Sequence, residues 1–165
     1  MLPNLDINIT RRWIQRCETE HTLDCRKASK IGEELPDRFM LIDVNTRCII
    51  QAPSCAKFFA LSYVWGSATD QFHTSKKHLK ASGTGSSSPN LLLKLPSQLA
   101  QVIEDAIQFV RALGETYLWV DALCIIHDDE SHLNTQLNAM DHIYGRAVLT
   151  IIAAPGFSFS NHLPG

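Results

Sequence analysis

Residues 58–64, "FFALSYV", are apolar at nearly every position, and no feature of the chain constrains its fold more. Successive side chains of a strand point to opposite faces, so a run without alternation needs apolar cover on both sides. A hairpin lying on one core cannot supply that, whereas a sheet sandwiched between helices can. Two later segments obey the same rule: "YLWV" at 117–120 and "AVLTIIA" at 147–153. Between the first two, Leu99, Val102, Ile103, Ala106, Ile107, Val110 and Leu113 fall on one helical stripe. Ser97 is placed to cap its start, and Gly114 suits the left-handed residue that ends it. Between the last two, Leu133, Leu137, Met140, Ile143 and Tyr144 make a second stripe, with Gly145 expected to end it. Strand, helix, strand, helix, strand with short links predicts right-handed crossovers and a doubly wound α/β core around a parallel sheet.

Ahead of this core, Ile9, Trp13, Ile14 and Cys17 recur at helical spacing, with Arg11, Arg12, Arg16 and Glu18 on the other face, so a short amphipathic helix is expected. Residues 39–44 and 48–51 are β-prone runs around "NTR", where Asn45 favours a turn, and they predict a hairpin. The stretch 67–96 is polar and contains "ASGTGSSSPN", which reads as a flexible surface excursion within the domain.

The chain has 165 residues, enough for one domain with its own core. A formal net charge of −2 gives no electrostatic reason to expect nucleic acid or an anionic membrane as partner. The apolar runs fall short of the ~18 residues of a membrane span, and the first residues lack the apolar core of a signal peptide. A soluble, cytoplasmic protein is the expectation. Five cysteines without a tight CxxC pair indicate neither a disulfide framework nor a zinc ribbon, and they are read as reduced.

An open parallel sheet binds ligands outside the carboxyl ends of its strands, near a reversal of strand order. Three segments reach that edge: "SYVWGS", "DALCIIHDD" and "APGFSFSN". Tyr63 and Trp65 beside Gly66 offer aromatic faces for a nicotinamide or adenine ring where the backbone can approach closely; equally, Trp65 can close the end of the core. Ser62 is a hydroxyl at the same edge, but "LSYVWG" is not a GxSxG elbow, and serine hydrolysis is set aside. Asp121 can bind a ribose hydroxyl, orient a base, or accept backbone N–H bonds from a neighbouring loop. His127 and Asp128 complete the candidate ligand edge. No dedicated metal site is expected, because adjacent residues diverge and no second cluster stands at ligand spacing; Asp129 or Ser131 suits a helix cap instead. Cys124 sits in "ALCII", an apolar setting that raises a thiol pKa and suits a core residue. Cys17, His21 and Cys25, spaced by four, would share a helix face, with packing of Cys17 the favoured reading over zinc.

The blocks "ALSYVWG" (60–66) and "YLWVDALCIIHDD" (117–129), the pattern Gln136, Met140, Ile143, Tyr144, Ala147, and the closing "LPG" resemble the fungal heterokaryon incompatibility (HET) domain from about residue 39 to 165. The resemblance divides the chain into an N-terminal helical extension, 1–35, and a HET domain, 36–165, with a flexible insertion near 67–95. It implies a TIR-like or flavodoxin-like sheet flanked by helices, and a role as effector or signalling module in fungal nonself recognition and programmed cell death. Partners would be further copies of itself or other HET and NLR-type proteins, with no nucleic acid and no membrane span. No cofactor is required, but some TIR domains hydrolyse NAD with a glutamate, so NAD is a possible substrate. In two places the chain departs from the pattern. His127 stands where HET domains usually carry an amide, and the tryptophan- and glutamate-containing block expected after "LPG" is absent. If that block supplies the catalytic acid, the chain is a truncated or inactive effector that binds complete HET proteins.

Overall fold

The computed structural model describes residues 6–20, 35–53, 56–65, 72–82 and 90–153. Six strands form one sheet: β1 (Met40–Asp43), β2 (Cys48–Gln51), β3 (Phe58–Ser62), β4 (Leu91–Lys94), β5 (Tyr117–Val120) and β6 (Thr150–Ile152). Their spatial order is β4-β2-β1-β5-β3-β6. Strand β3, the most apolar run, lies between β5 and β6 and is parallel to both, with Leu61 opposite Val120 and Ile151. Phe58, Phe59, Ala60 and Leu61 are fully buried, so both faces of β3 are covered. The chain leaves β3 for β5 on one side and then crosses back to β6 on the other, so the strand order reverses at β3. The link from β3 to β5 passes through β4 at the far edge of the sheet, and both links carry helices ahead of their last strand. Those helices are α3 (Gln101–Ala112), then α5 (Glu130–Asn138) and α6 (Met140–Arg146), with a single turn, α4 (Asp121–Cys124), after β5.

The expected α/β core is therefore present, and its parallel part is the β5-β3-β6 half. The hairpin does not stand apart from it. β1 pairs antiparallel with β5, and β2 carries the edge strand β4, so the other half of the same sheet is antiparallel. Leu41, Ile42 and Ile49 are fully buried, which is why the hairpin joins the core instead of capping it. Asp43 organises the turn, its carboxylate accepting from the backbone of Asn45 and Thr46, and Arg47 takes the left-handed conformation at φ 55°. The excursion also contains regular structure: α2 (Lys76–Ser82) and β4 lie within it, while most of "ASGTGSSSPN" is outside the described residues.

Three local expectations are corrected. Ser97 does not cap α3, which starts at Gln101 with Ala100 as its N-cap and no side-chain cap bond. Leu95 is still bonded to the Arg47 carbonyl, and Arg47 reaches on to Pro96 and to both carboxylate oxygens of Glu104, so the chain is held to the hairpin until the helix can begin. The second stripe is two helices, broken at Ala139, and Gly145 lies inside α6 without a positive φ. Leu137 faces outward while His132 and Gln136 are buried, because the latter two bond the backbone of residues 37 and 38. In α1 (Ile7–Glu20) Trp13 is 67% exposed; the helix packs along Ile7, Thr10 and Ile14, a seam offset from the one expected.

Gly114 does end α3 with φ 82°, its N–H bonded to the Arg111 carbonyl. A Cβ built there meets nothing within 4 Å, so substitution costs backbone strain alone. Gly114→Ala is expected to lower stability by about 1–2 kcal/mol, measured by urea unfolding, without altering the fold.

Candidate functional site

The parallel register fixes which residues leave the sheet together. With Leu61 opposite Val120, and Ser62 opposite Ile152, the chain emerges level at Ser62, Asp121 and Ile152. This carboxyl edge, at the point of strand reversal, is the place where sheets of this type hold ligands.

A segment distant in sequence is laced across it. The Thr74 N–H donates to the Ala122 carbonyl at 3.2 Å, its hydroxyl donates to the Leu123 carbonyl at 2.6 Å, and its own carbonyl accepts from His127 N–H at 3.0 Å. Thr74 is fully buried, and these bonds satisfy it. One step further on, Asp128 accepts from the Lys76 N–H at 2.7 Å and fixes the start of α2. The lacing brings His73 over the end of β5.

There His73, Trp65 and His127 touch one another. Their ring centroids are 4.8 Å apart for Trp65–His73, 5.4 Å for Trp65–His127 and 4.9 Å for His73–His127. Beneath them the Asp121 carboxylate accepts from the Trp65 indole N–H at 3.0 Å and from the Ala122 N–H at 2.7 Å. The His127 Nε2 lies 3.3 Å from the Asp121 carbonyl and, as a proton-bearing nitrogen, donates to it.

Burial sets the protonation states. It pushes the Asp121 carboxyl above its ordinary range, against the bonds from Ala122 and Trp65 that favour the ionised form. It pushes both imidazoles down, His73 further so by the neighbouring His127, while the bond to the Asp121 carbonyl partly offsets the effect at His127. Tyr144, on α6, is hydrogen-bonded to Ser62; burial and then the Asp121 charge raise its phenol above its ordinary value. The site thus combines a partly desolvated carboxylate, two imidazoles biased to neutrality, a hydroxyl–phenol pair and an indole that remains 40% exposed.

Of the residues expected at this edge, Trp65, Asp121 and His127 come together, and Ser62 adjoins them through Tyr144. Trp65 does not close the core; it lies over Asp121. Tyr63 is partly buried and packs on the core, and Asp128 is engaged with the start of α2. Gly66, His21 and Cys25 lie outside the described residues. Asp129 caps α5 and pairs with Arg38 at 3.2 Å. The Cys124 thiol is pushed up to about 12 by burial. Among the described residues no group of three or more His, Cys, Asp or Glu is arranged to hold a metal. His73 and Tyr144 were missed as site residues: Tyr144 reads as part of an apolar stripe, and nothing local to "FHTS" foretells that Thr74 will pair with a loop some fifty residues later.

A mixed α/β sheet with this carboxyl edge defines the class, and the match to the family "Heterokaryon incompatibility protein (HET)" over residues 58–163 shows that the chain belongs to it. Among curated proteins, "Heterokaryon incompatibility protein 6, OR allele" of Neurospora crassa is 29% identical over 119 residues, covering 70% of this chain. The chain spans 17% of that relative's length. No solved structure matches the chain. Among the described residues no helix is long and apolar enough to cross a membrane.

Proposed function

We propose that the chain acts in fungal heterokaryon incompatibility as an effector or signalling module of nonself recognition, with the carboxyl-edge cluster as its ligand site. Membership of the HET family carries this reading, and the matched span 58–163 contains Trp65, His73, Asp121 and His127. The partner is a further copy of the chain or another HET protein, and the response is cell death. Induced expression of the full chain in a filamentous fungus is expected to arrest growth, and Trp65→Ala or Asp121→Ala is expected to restore it. Unimpaired growth at confirmed expression would overturn the effector reading.

A second reading, hydrolysis of NAD at the same edge, is favoured by the partly desolvated acid beside an accessible aromatic ring. Nicotinamide release by the purified chain tests it. Release no faster than in buffer at high protein concentration sinks the enzyme reading and leaves the signalling one standing.

A further inference from the structure

Asp121 is a partly desolvated carboxylate with an unusual set of neighbours. It accepts two hydrogen bonds, from Ala122 N–H and Trp65 Nε1–H, and among the described residues no lysine or arginine pairs with it. The charge that would favour its ionised form is that of His73, whose burial beside His127 opposes protonation. A desolvated charge without a counter-charge is costly. The same edge carries a second uncompensated group: Nδ1 of His73 is buried and has no hydrogen-bond partner.

Around this unpaired negative charge stand three aromatic rings, inclined to one another by 50°, 67° and 72°. An indole face attracts a cation through its quadrupole, and Trp65 is the ring that remains open to solvent. The rings touch, so a ligand does not fit among them; it lands on the outer face of the indole, beside the carboxylate. A strongly hydrated ammonium loses most by leaving water there. A flat or alkylated organic cation, weakly hydrated, loses least and also stacks.

We propose that Trp65 and Asp121, buttressed by His73 and His127, form a binding site for an organic monocation of the N-alkylpyridinium or quaternary ammonium class. The inference rests on reading this edge as ligand-binding, and it sharpens that reading: recognition begins with the cationic head of the ligand and not with an adenine or phosphate group.

Calorimetric titration of the full chain tests it with four probes: 1-methylnicotinamide, which is cationic; nicotinamide, its neutral counterpart; tetramethylammonium; and AMP. The cations are expected to bind, with the neutral amide at least tenfold weaker. Asp121→Asn, which keeps the side-chain shape and removes the charge, is expected to weaken the cations about tenfold or more, equivalent to about 1.4 kcal/mol. Trp65→Ala alters an exposed ring without opening the core, so it serves if Asp121→Asn proves unstable; it too should lose tenfold. Equal binding of nicotinamide and 1-methylnicotinamide overturns the proposal, as does cation affinity unchanged in both variants, or no binding by any probe. Binding of AMP without binding of either cation overturns it also, while leaving a nucleotide site at this edge standing.

Discussion

Trp119→Ala is expected to destabilise the protein by about 3–5 kcal/mol, since truncating a buried aromatic removes its transfer free energy and leaves a cavity. Against the roughly 5–15 kcal/mol that holds a domain together, this removes a large share of the stability. Trp119 is fully buried in β5, between β1 and β3, and meets Tyr144 edge-to-face at 5.4 Å. Its loss empties the layer joining the sheet to α6. The indole N–H has no hydrogen-bond partner, so most of the contribution of Trp119 is apolar. Trp119→Phe, which keeps a ring and removes the orphan donor, is therefore expected to cost far less than alanine. Guanidinium unfolding of the two variants checks this; an equal loss in both would mean that the indole N–H is engaged in the folded state.

The second large effect is on acid stability. His132 is buried, and both its nitrogens serve the backbone: Nδ1 accepts from the Ile126 N–H at 3.2 Å and Nε2 donates to the Arg38 carbonyl at 3.2 Å. A protonated ring cannot accept at Nδ1, so charging it breaks the first bond. Burial pushes its pKa below the ordinary 6.5, with Arg38 lowering it further, while the bond to the Arg38 carbonyl and the charges of Asp129 and Asp37 oppose this. His73 and His127 are lowered too, chiefly by burial. For each, the unfolded chain binds its proton at a higher pH than the folded one, so unfolding takes up protons below about pH 6.5. The stability associated with the neutral rings is intact above that value and is lost as pH falls through the folded pKa values. Asp121, raised instead, acts in the opposite sense: its ionisation costs the fold stability as pH rises above 3.8. The melting temperature is therefore expected to be flat from about pH 6.5 to about pH 8, short of the 9.0 at which an exposed Cys124 thiol begins to favour the unfolded chain, and to fall below pH 6.5. His132→Ala should reduce that fall and lower stability at neutral pH by about 1–3 kcal/mol for each buried backbone group left unpaired. A pH profile parallel to wild type would show that His132 does not carry the effect.

What was legible in the sequence follows from range. The run beginning at Phe58 announced a strand covered on both faces because burial writes itself into every side chain of such a run; it holds for residues 58–61, while Val64 lies past the strand end and is exposed. The stripe from Leu99 to Leu113 and the glycine ending it were legible because helical spacing and a positive φ are local demands. The cap at Ser97 failed because the start of α3 is set by the Arg47 tether to Pro96 and Glu104, a contact between distant segments. On α5 Leu133 packs on the core as its spacing implies, but Leu137 faces outward because His132 and Gln136 are buried to bond residues 37 and 38, and a polar residue buried for that purpose looks, in sequence, like an exposed one.

The site divides the same way. The sequence by itself determined the α/β class, the segments that leave β3 and β5 at the carboxyl edge, the HET resemblance, and the placing of Asp121 and Trp65 there, since strand ends are consequences of local pattern; the third expected segment, "APGFSFSN", lies outside the described residues. Only the tertiary structure decided that the hairpin joins the same sheet, that Asp128 belongs to α2, and that His73 belongs over Asp121. These depend on Thr74 filling its hydrogen bonds from a loop far along the chain, and a buried hydroxyl requires a partner without specifying in sequence where that partner lies.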